Sequence, residues 1–252
     1  MGITESFDNT TEEILKPSFT AKAVEGFPEN VIVTFDKKML DAFMDGYTVE
    51  IIGKIHAGME IPIYKTVYKD RKIAFYLSGM GGPAAAAILE EIIVKGGKKI
   101  LLFGSSGSLD KNITDGNIII PTFAYRDEGT SYHYIPAHAG DYIEVKTAGR
   151  LTEIFSSLGV PVITGRTWTT DALYRETYKN KELRKGEGCI TVEMECASVM
   201  ALAEFRNADI YQFLYTADNL DCKEWEPRLL GKMPKDMCEK YIALALEVSV
   251  RL

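Results

Sequence analysis

The feature that most constrains this chain is a succession of short apolar runs, rich in β-branched and aromatic residues and bounded by Gly, Pro, Asp or Asn. They occupy residues 31–35, 72–78, 99–104, 116–121, 160–168 and 210–217, and they read as strands. Stretches with helical spacing lie at 83–95, 146–158, 195–207 and 234–250. Near-continuous apolar strands alternating with helices belong in a sheet that is at least partly parallel and covered on both faces. Segment 48–68 reads as an extended or hairpin addition, so the expected sheet is mixed. No internal repeat, low-complexity tract or Pro/Ser linker divides the 252 residues. The expectation is one α/β domain over 1–252, a mixed and mostly parallel β-sheet flanked by helices on both faces.

Charge and composition exclude several function classes. Lys and Arg number 29 against 36 Asp and Glu, a net charge of −7, and no block of five like charges breaks the mixture. An extended nucleic-acid interface is not expected from such a balance. The opening MGITESFDNTTEEILKPS is polar and acidic without an apolar core, and no later stretch reaches the roughly 18 apolar residues of a membrane span. A soluble, cytoplasmic protein with no membrane partner is expected. Cys189, Cys196, Cys222 and Cys238 lack CxxC spacing and read as reduced, buried small hydrophobes. His56, His133 and His138 form no close ligand pair on a helix face, so no metal site is expected.

Ligands of open α/β sheets bind outside the carboxyl ends of the strands, which directs the search to four segments. Ser78-Gly79-Met80-Gly81-Gly82-Pro83 is a glycine-rich strand-to-helix turn with Pro in the first helical turn. Its free N–H groups suit an anion or a hydroxyl-rich ligand, and a plain packing turn accounts for it equally well. Gly104-Ser105-Ser106-Gly107 would let a planar base or a phosphate approach the backbone, with a simple turn as the equal alternative. Glu193-Met194-Glu195 places two carboxylates where one can face a pocket, although acids at a helix start also complement its dipole. Asp218, at the end of the last run, is a cap, a turn residue or a general acid.

Taken in order, the stretches SGMGGPAAAAILEEI, ILLFGSSGSLDKNITDGNIIIPTFAYRDEGTSYHY, TWTTDALY, TVEMECASVMALAEF and LYTADNLD resemble the nucleoside phosphorylase family. That family includes bacterial uridine phosphorylase and the small-subunit purine nucleoside phosphorylases. The resemblance implies the phosphorylase/hydrolase-like fold and a homodimer or hexamer. It implies cleavage of an N-glycosidic bond with no cofactor, a nucleoside and phosphate being the partners and phosphate the co-substrate. It places Glu195 on the ribose hydroxyls, with Met194 and Met80 lining the sugar. Ser105 and Gly81 fall near the phosphate; Ser106, Gly107 and Leu173 fall beside the base; and Asp218 takes the role of catalytic acid toward a purine N7. The chemistry agrees, because a carboxylate gripping the 2′- and 3′-hydroxyls orients the sugar and favours its oxocarbenium-like charge.

The departures are equally informative. Where the family carries phosphate-binding arginines, this chain has Met39 and Leu102, and near Glu50 it offers only Lys54. Lys37, Lys38, Lys54 and Arg126 are the candidate substitutes, but lysine is a point charge without the arginine fork. The base-binding Gln and Arg of uridine phosphorylases have no counterpart after Asp171-Ala172-Leu173-Tyr174, and Asp218 matches the purine branch. A purine nucleoside phosphorylase is therefore the first expectation. A hydrolytic nucleosidase and a non-catalytic nucleoside-binding relative are the alternatives.

Overall fold

Strand β5 (Lys99–Ser108) organises the sheet because it changes neighbours along its length. On one side β10 (Asp209–Asn219) runs parallel to it from end to end. On the other, β1 (Asn30–Thr34) pairs in parallel with Lys99–Phe103 only. Antiparallel β9 (Cys189–Glu193) joins at Gly107 and Ser108, so residues 104–106 have no strand on that side. A sheet that parts in this way leaves a crevice at the parting, the situation that creates ligand sites in α/β folds.

The structure, a computed structural model, describes residues 2–56 and 60–252. From β9 the pairing continues in parallel to β8 (Ile163–Thr170) and β6 (Ile118–Asp127). β6 then returns antiparallel to β10. Five strands thus close on themselves in the order β5-β10-β6-β8-β9, which removes their open edges. β1 leads outward to β4 (Arg71–Leu77), β3 (Glu60–Tyr68) and β2 (Glu50–His56), the last three antiparallel to one another. The short β7 (Tyr142–Glu144) pairs with β6. The expected mixed α/β sheet is present, but its closure was not expected. The 48–68 segment is an antiparallel pair as read, except that residues 57–59 lie outside the described residues, as does Met1.

Helices pack on this frame. After the single turn α1 (Pro17–Thr20), α2 (Lys37–Gly46) follows β1 and packs on the C-terminal α8 (Lys235–Ser249). α3 (Gly82–Lys95) follows β4 and packs on α7 (Cys196–Arg206). The turn α4 (Ser131–Tyr134) leans on α7, while α5 (Ala148–Ser157) covers β6 and β10. α6 (Tyr178–Gly186) lies against β9. The main core joins the outward strands β1-β4-β3-β2 to the helices, and Phe213 stacks on Phe103 at 5.2 Å while meeting the edge of Phe155 at 5.3 Å. Trp168, Leu109, Cys189 and Val192 form a smaller cluster among the closed strands. Among the described residues, no helix is long and apolar enough to cross a membrane.

Candidate active site

A cleft of about 710 Å³ opens at the parting of β1 from β9. Phe35, Asp36 and Lys37 enter it from the end of β1, Met80 from the turn after β4, and residues 104–107 from its floor on β5. Val192–Glu195 come from the end of β9 and Asp218 from β10. The loops around Leu173–Glu176 and Leu220–Gly231 form the rim. One cavity thus gathers Met80, Ser105, Ser106, Gly107, Leu173, Met194, Glu195 and Asp218 from five distant parts of the sequence. Gly81 stands just behind the lining. Residues 104–107 belong to continuous β5 and not to the loop their composition suggests, because β10 pairs with every one of them.

The two glutamates at the start of α7 do different work. Glu193 turns inward and caps the helix: its Oε2 accepts the N–H groups of Glu195 and Cys196 at 2.8 and 2.7 Å. Its Oε1 accepts the Thr169 hydroxyl at 2.5 Å. Burial outweighs these bonds and pushes the Glu193 carboxyl up to about 6. Glu195 faces the cleft, and its Oε1 accepts the Gly81 N–H at 2.7 Å. Gly81, expected beside a phosphate, directs its N–H to this carboxylate. Its φ of +93° suits glycine alone. Burial, reinforced by the charge of Glu193, pushes Glu195 up to about 8.

At the far end of the cleft, β10 carries a bulge between Thr216 and Asp218, an irregularity of the kind that re-aims a side chain. Asp218 lies opposite Gly107, where an added Cβ would stand 3.2 Å from Asp218 Oδ1 and 2.4 Å from Leu220. Glycine therefore lets Leu220, Val192 and Asp218 pack directly against the strand. Asp218 Oδ2 accepts the Trp225 Nε1–H at 2.8 Å. Burial raises the Asp218 carboxyl, while Trp225 and the Arg228 charge hold it back. Beside it the Ser106 hydroxyl is buried without a hydrogen-bond partner among the described residues. A buried, unpaired hydroxyl on a cavity wall calls for a ligand to pair with it.

The other end lacks the arginines of the family. Met39 and Leu102 are fully buried in the core, so neither position faces the cleft with a polar group. Of the four candidate substitutes only Lys37 lines the cleft, and its Nζ is paired with Asp41 at 2.6 Å. Lys38 donates to the Gly231 carbonyl at 2.9 Å. Lys54 pairs with Glu60 on the β2–β3 wing. Arg126 is buried, donates to Ser131 Oγ and to the carbonyls of Ile135, Pro136 and Gly140, and stacks on Tyr132. It holds a loop together. Ser105 is exposed to the cleft.

Sequence reasoning missed Glu176, Trp225 and Lys181, all of which line the cavity. None stands in an apolar period or at the end of a strand. Glu176 and Trp225 gave only the signal of a charged or aromatic residue in a polar loop, and Lys181 that of one charge among several on α6. Burial and the charge of Asp218 push the Glu176 carboxyl up to about 7. Among the described residues, no cluster of three or more His, Cys, Asp or Glu could hold a metal ion.

Comparison with known proteins matches residues 18–250 to the family model described as the phosphorylase superfamily. The chain is 24% identical over 189 residues to the DeoD-type purine nucleoside phosphorylase of an Exiguobacterium species, covering 73% of this chain and 78% of that one. In fold it is similar to uridine phosphorylase from Vibrio fischeri, with a TM-score of 0.74 and 18% identity over 96% of this chain and 100% of that one. It is also similar to a futalosine hydrolase mutant of Helicobacter pylori, with a TM-score of 0.70 and 18% identity over 88% and 98% of the respective chains.

Proposed function

The chain belongs to the phosphorylase superfamily, and from that premise we propose that it cleaves the N-glycosidic bond of a purine-type nucleoside, with phosphate as the ribosyl acceptor. The observation that carries this reading is the placing of Glu195 and Asp218 on one cleft, which Met80, Met194 and Ser106 also line. Glu195, oriented by Gly81, accepts the ribose hydroxyls; their donation favours its ionised form, which then supports the positive charge that develops on the ring. The C1′–N bond breaks with its electron pair passing to the base, and a carboxyl at Asp218 neutralises that charge by protonating the ring. An oxygen of phosphate forms the new bond to C1′ from the side of Ser105. The small residues along β5 admit both groups close to the backbone.

A specific observation favours a second reading, in which water is the acceptor. The cleft lining holds five carboxyl groups, those of Asp36, Glu176, Glu193, Glu195 and Asp218, against two lysines, Lys37 and Lys181. Both lysines are already paired, Lys181 with Glu182 at 2.9 Å. With both lining lysines already engaged, a phosphate dianion is held only if new cationic contacts form on binding. The test is a panel of purine and pyrimidine nucleosides incubated with the protein, with and without phosphate. Free base together with ribose 1-phosphate establishes the first reading. Equal release of base and free ribose without phosphate establishes the second, and binding without release leaves a nucleoside-binding protein.

A further inference from the structure

One turn beyond Glu195 on α7, Ser198 is fully buried and does not line the cleft. Its hydroxyl donates to Glu128 Oε2 at 2.5 Å, and the same oxygen accepts the Ser131 N–H at 2.9 Å. Ser131 Oγ in turn accepts the Arg126 Nε–H at 2.9 Å. Glu128 Oε1 is buried as well and has no hydrogen-bond partner among the described residues. Leaving one oxygen of a buried carboxylate unpaired is costly, and chains break such rules chiefly where a site requires it. What the arrangement fixes is Ser198. Against that side chain lies Gly82, the first residue of α3: a Cβ added there would stand 2.2 Å from Ser198 Oγ and 2.9 Å from Ser198 Cβ. Gly81, immediately before it, gives its N–H to Glu195. The starts of α3 and α7 therefore meet at two adjoining points, Gly81 on Glu195 and Gly82 on Ser198.

We propose that Ser198, held by Glu128, is a positioning residue for Glu195: it sets how closely the start of α3 approaches α7, and with that the hydrogen bond from Gly81 to the carboxylate. The inference rests on the nucleoside reading given above. Glu193 and Thr169 fasten the first turn of α7 on the side of β9 and β8, through the N–H groups of Glu195, Cys196 and Ala197. The Ser198 contact fixes the same turn toward α3. The N–H of Gly81 favours the ionised form of Glu195, against burial and the neighbouring charge of Glu193. The spacing thus governs both where the carboxylate points and how readily it ionises, and only the ionised form supports a positive sugar ring. Removing the Ser198 hydroxyl frees the contact from Glu128, while a methyl group at Gly82 forces the same two elements apart. Neither residue lines the cleft, so each change reaches the chemistry through Glu195.

The test compares the parent with Ser198→Ala and Gly82→Ala by two measurements. One is the pH profile of kcat/KM for the best nucleoside of the panel, which reports ionisation in the free protein. The other is the titration of the Glu195 carboxyl without substrate, followed by carbon-13 NMR of glutamate-labelled protein and assigned with Glu195→Gln. Both variants are expected to lower kcat/KM by about 10–100-fold, the cost of a small misplacement in a site. Both should move the acid limb of the profile, and the Glu195 titration with it, to higher pH by about one unit. A serine that only packs the core would reduce the yield of folded protein and leave limb and titration in place. If Gly82→Ala does not fold, Ser198→Ala decides alone. A folded Ser198→Ala protein with the parental profile and the parental Glu195 titration overturns the proposal, whatever its stability. A Glu195 titration moved by Ser198→Ala in a protein that turns over no nucleoside sustains the positioning and sinks the cleavage reading. Turnover with limb and titration unmoved does the reverse.

Discussion

The Gly81 N–H donates to Glu195 Oε1 at 2.7 Å across 114 residues of sequence, joining the turn after β4 to the start of α7. Only a residue free to hold φ at +93° can present that N–H, so the glycine is the fixed half of the contact and the carboxylate is the half that it aims. The charge, however, comes from Glu195 alone.

Replacing Glu195 by Gln therefore separates shape from charge. The amide oxygen still accepts from Gly81, so the variant is expected to fold and to melt within a few degrees of the parent. Its turnover falls by about 10²-fold or more, the size of loss seen when one preorganised electrostatic group is removed from a transition state. Near-parental turnover in a folded Glu195→Gln protein, assayed with the best nucleoside of the panel, removes this residue from the chemistry.

Three cleft carboxyls make the stability of the fold depend on pH. Glu176 is pushed up to about 7, Glu193 to about 6 and Glu195 to about 8, all above the roughly 4.3 of an unfolded glutamate. Between those values the native protein holds protons that the unfolded chain has released, so stability falls as pH rises from about 4.5 to about 8. The opposite case is Glu247, which Lys69, Tyr68 and Arg251 hold down at about 2. Its contribution is complete above pH 4.5 and is lost as pH falls toward 2. The melting temperature is accordingly expected to be several degrees higher at pH 5.5 than at pH 8.5. Glu195→Gln should flatten that slope. A parent equally or more stable at pH 8.5 contradicts the buried, uncompensated state of these side chains.

The strands and long helices were legible because burial on a sheet leaves apolar runs, and four of the six runs end within two residues of the observed strand. The other two failed for a physical reason. β5 continues through Gly104–Ser108 and β6 through Arg126 and Asp127, where small or polar residues face a cleft or a buried polar network and leave no apolar signature. α6 was missed because charged residues dominate it, whereas α2 does show helical spacing in its buried Met39, Ala42 and Phe43 but over only ten residues. Closure of the sheet depends on the pairings β5–β9 and β6–β10, which join residues far apart in sequence. The site was partly legible. Glu193 and Glu195 read alike as helix-start acids, and only the turn of the chain makes one a cap and the other a wall of the cleft. Glu176 carried no signal until the rim loop placed it on the cleft wall.

Phosphate saturation tests the anion end. With Met39 and Leu102 buried and each candidate lysine already paired, the bidentate charge-assisted bonds that arginine would give to phosphate are absent from those positions. If phosphate is the acceptor, its KM is expected in the millimolar range or above, and turnover should fall steeply with added salt. Saturation at micromolar phosphate would show that other groups bind the anion, and that the cleft rearranges to supply them.

Asp218→Asn tests the other end. Asparagine accepts the Trp225 N–H as Asp218 does, so the rim is expected to stay in place. It cannot deliver a proton, so the departing base loses that neutralisation. Natural purine nucleosides should then slow by the roughly 10²–10⁴-fold typical of a lost general acid. A 7-methylated purine nucleoside already carries the positive charge that protonation creates, so Asp218→Asn should cleave it at close to the parental rate. A purely structural aspartate would impair both substrates alike. Steady-state rates on the two substrates decide the matter: equal impairment, or uridine cleavage untouched by the substitution, returns Asp218 to the part of a strand-bulge residue and leaves the base to be activated by other groups.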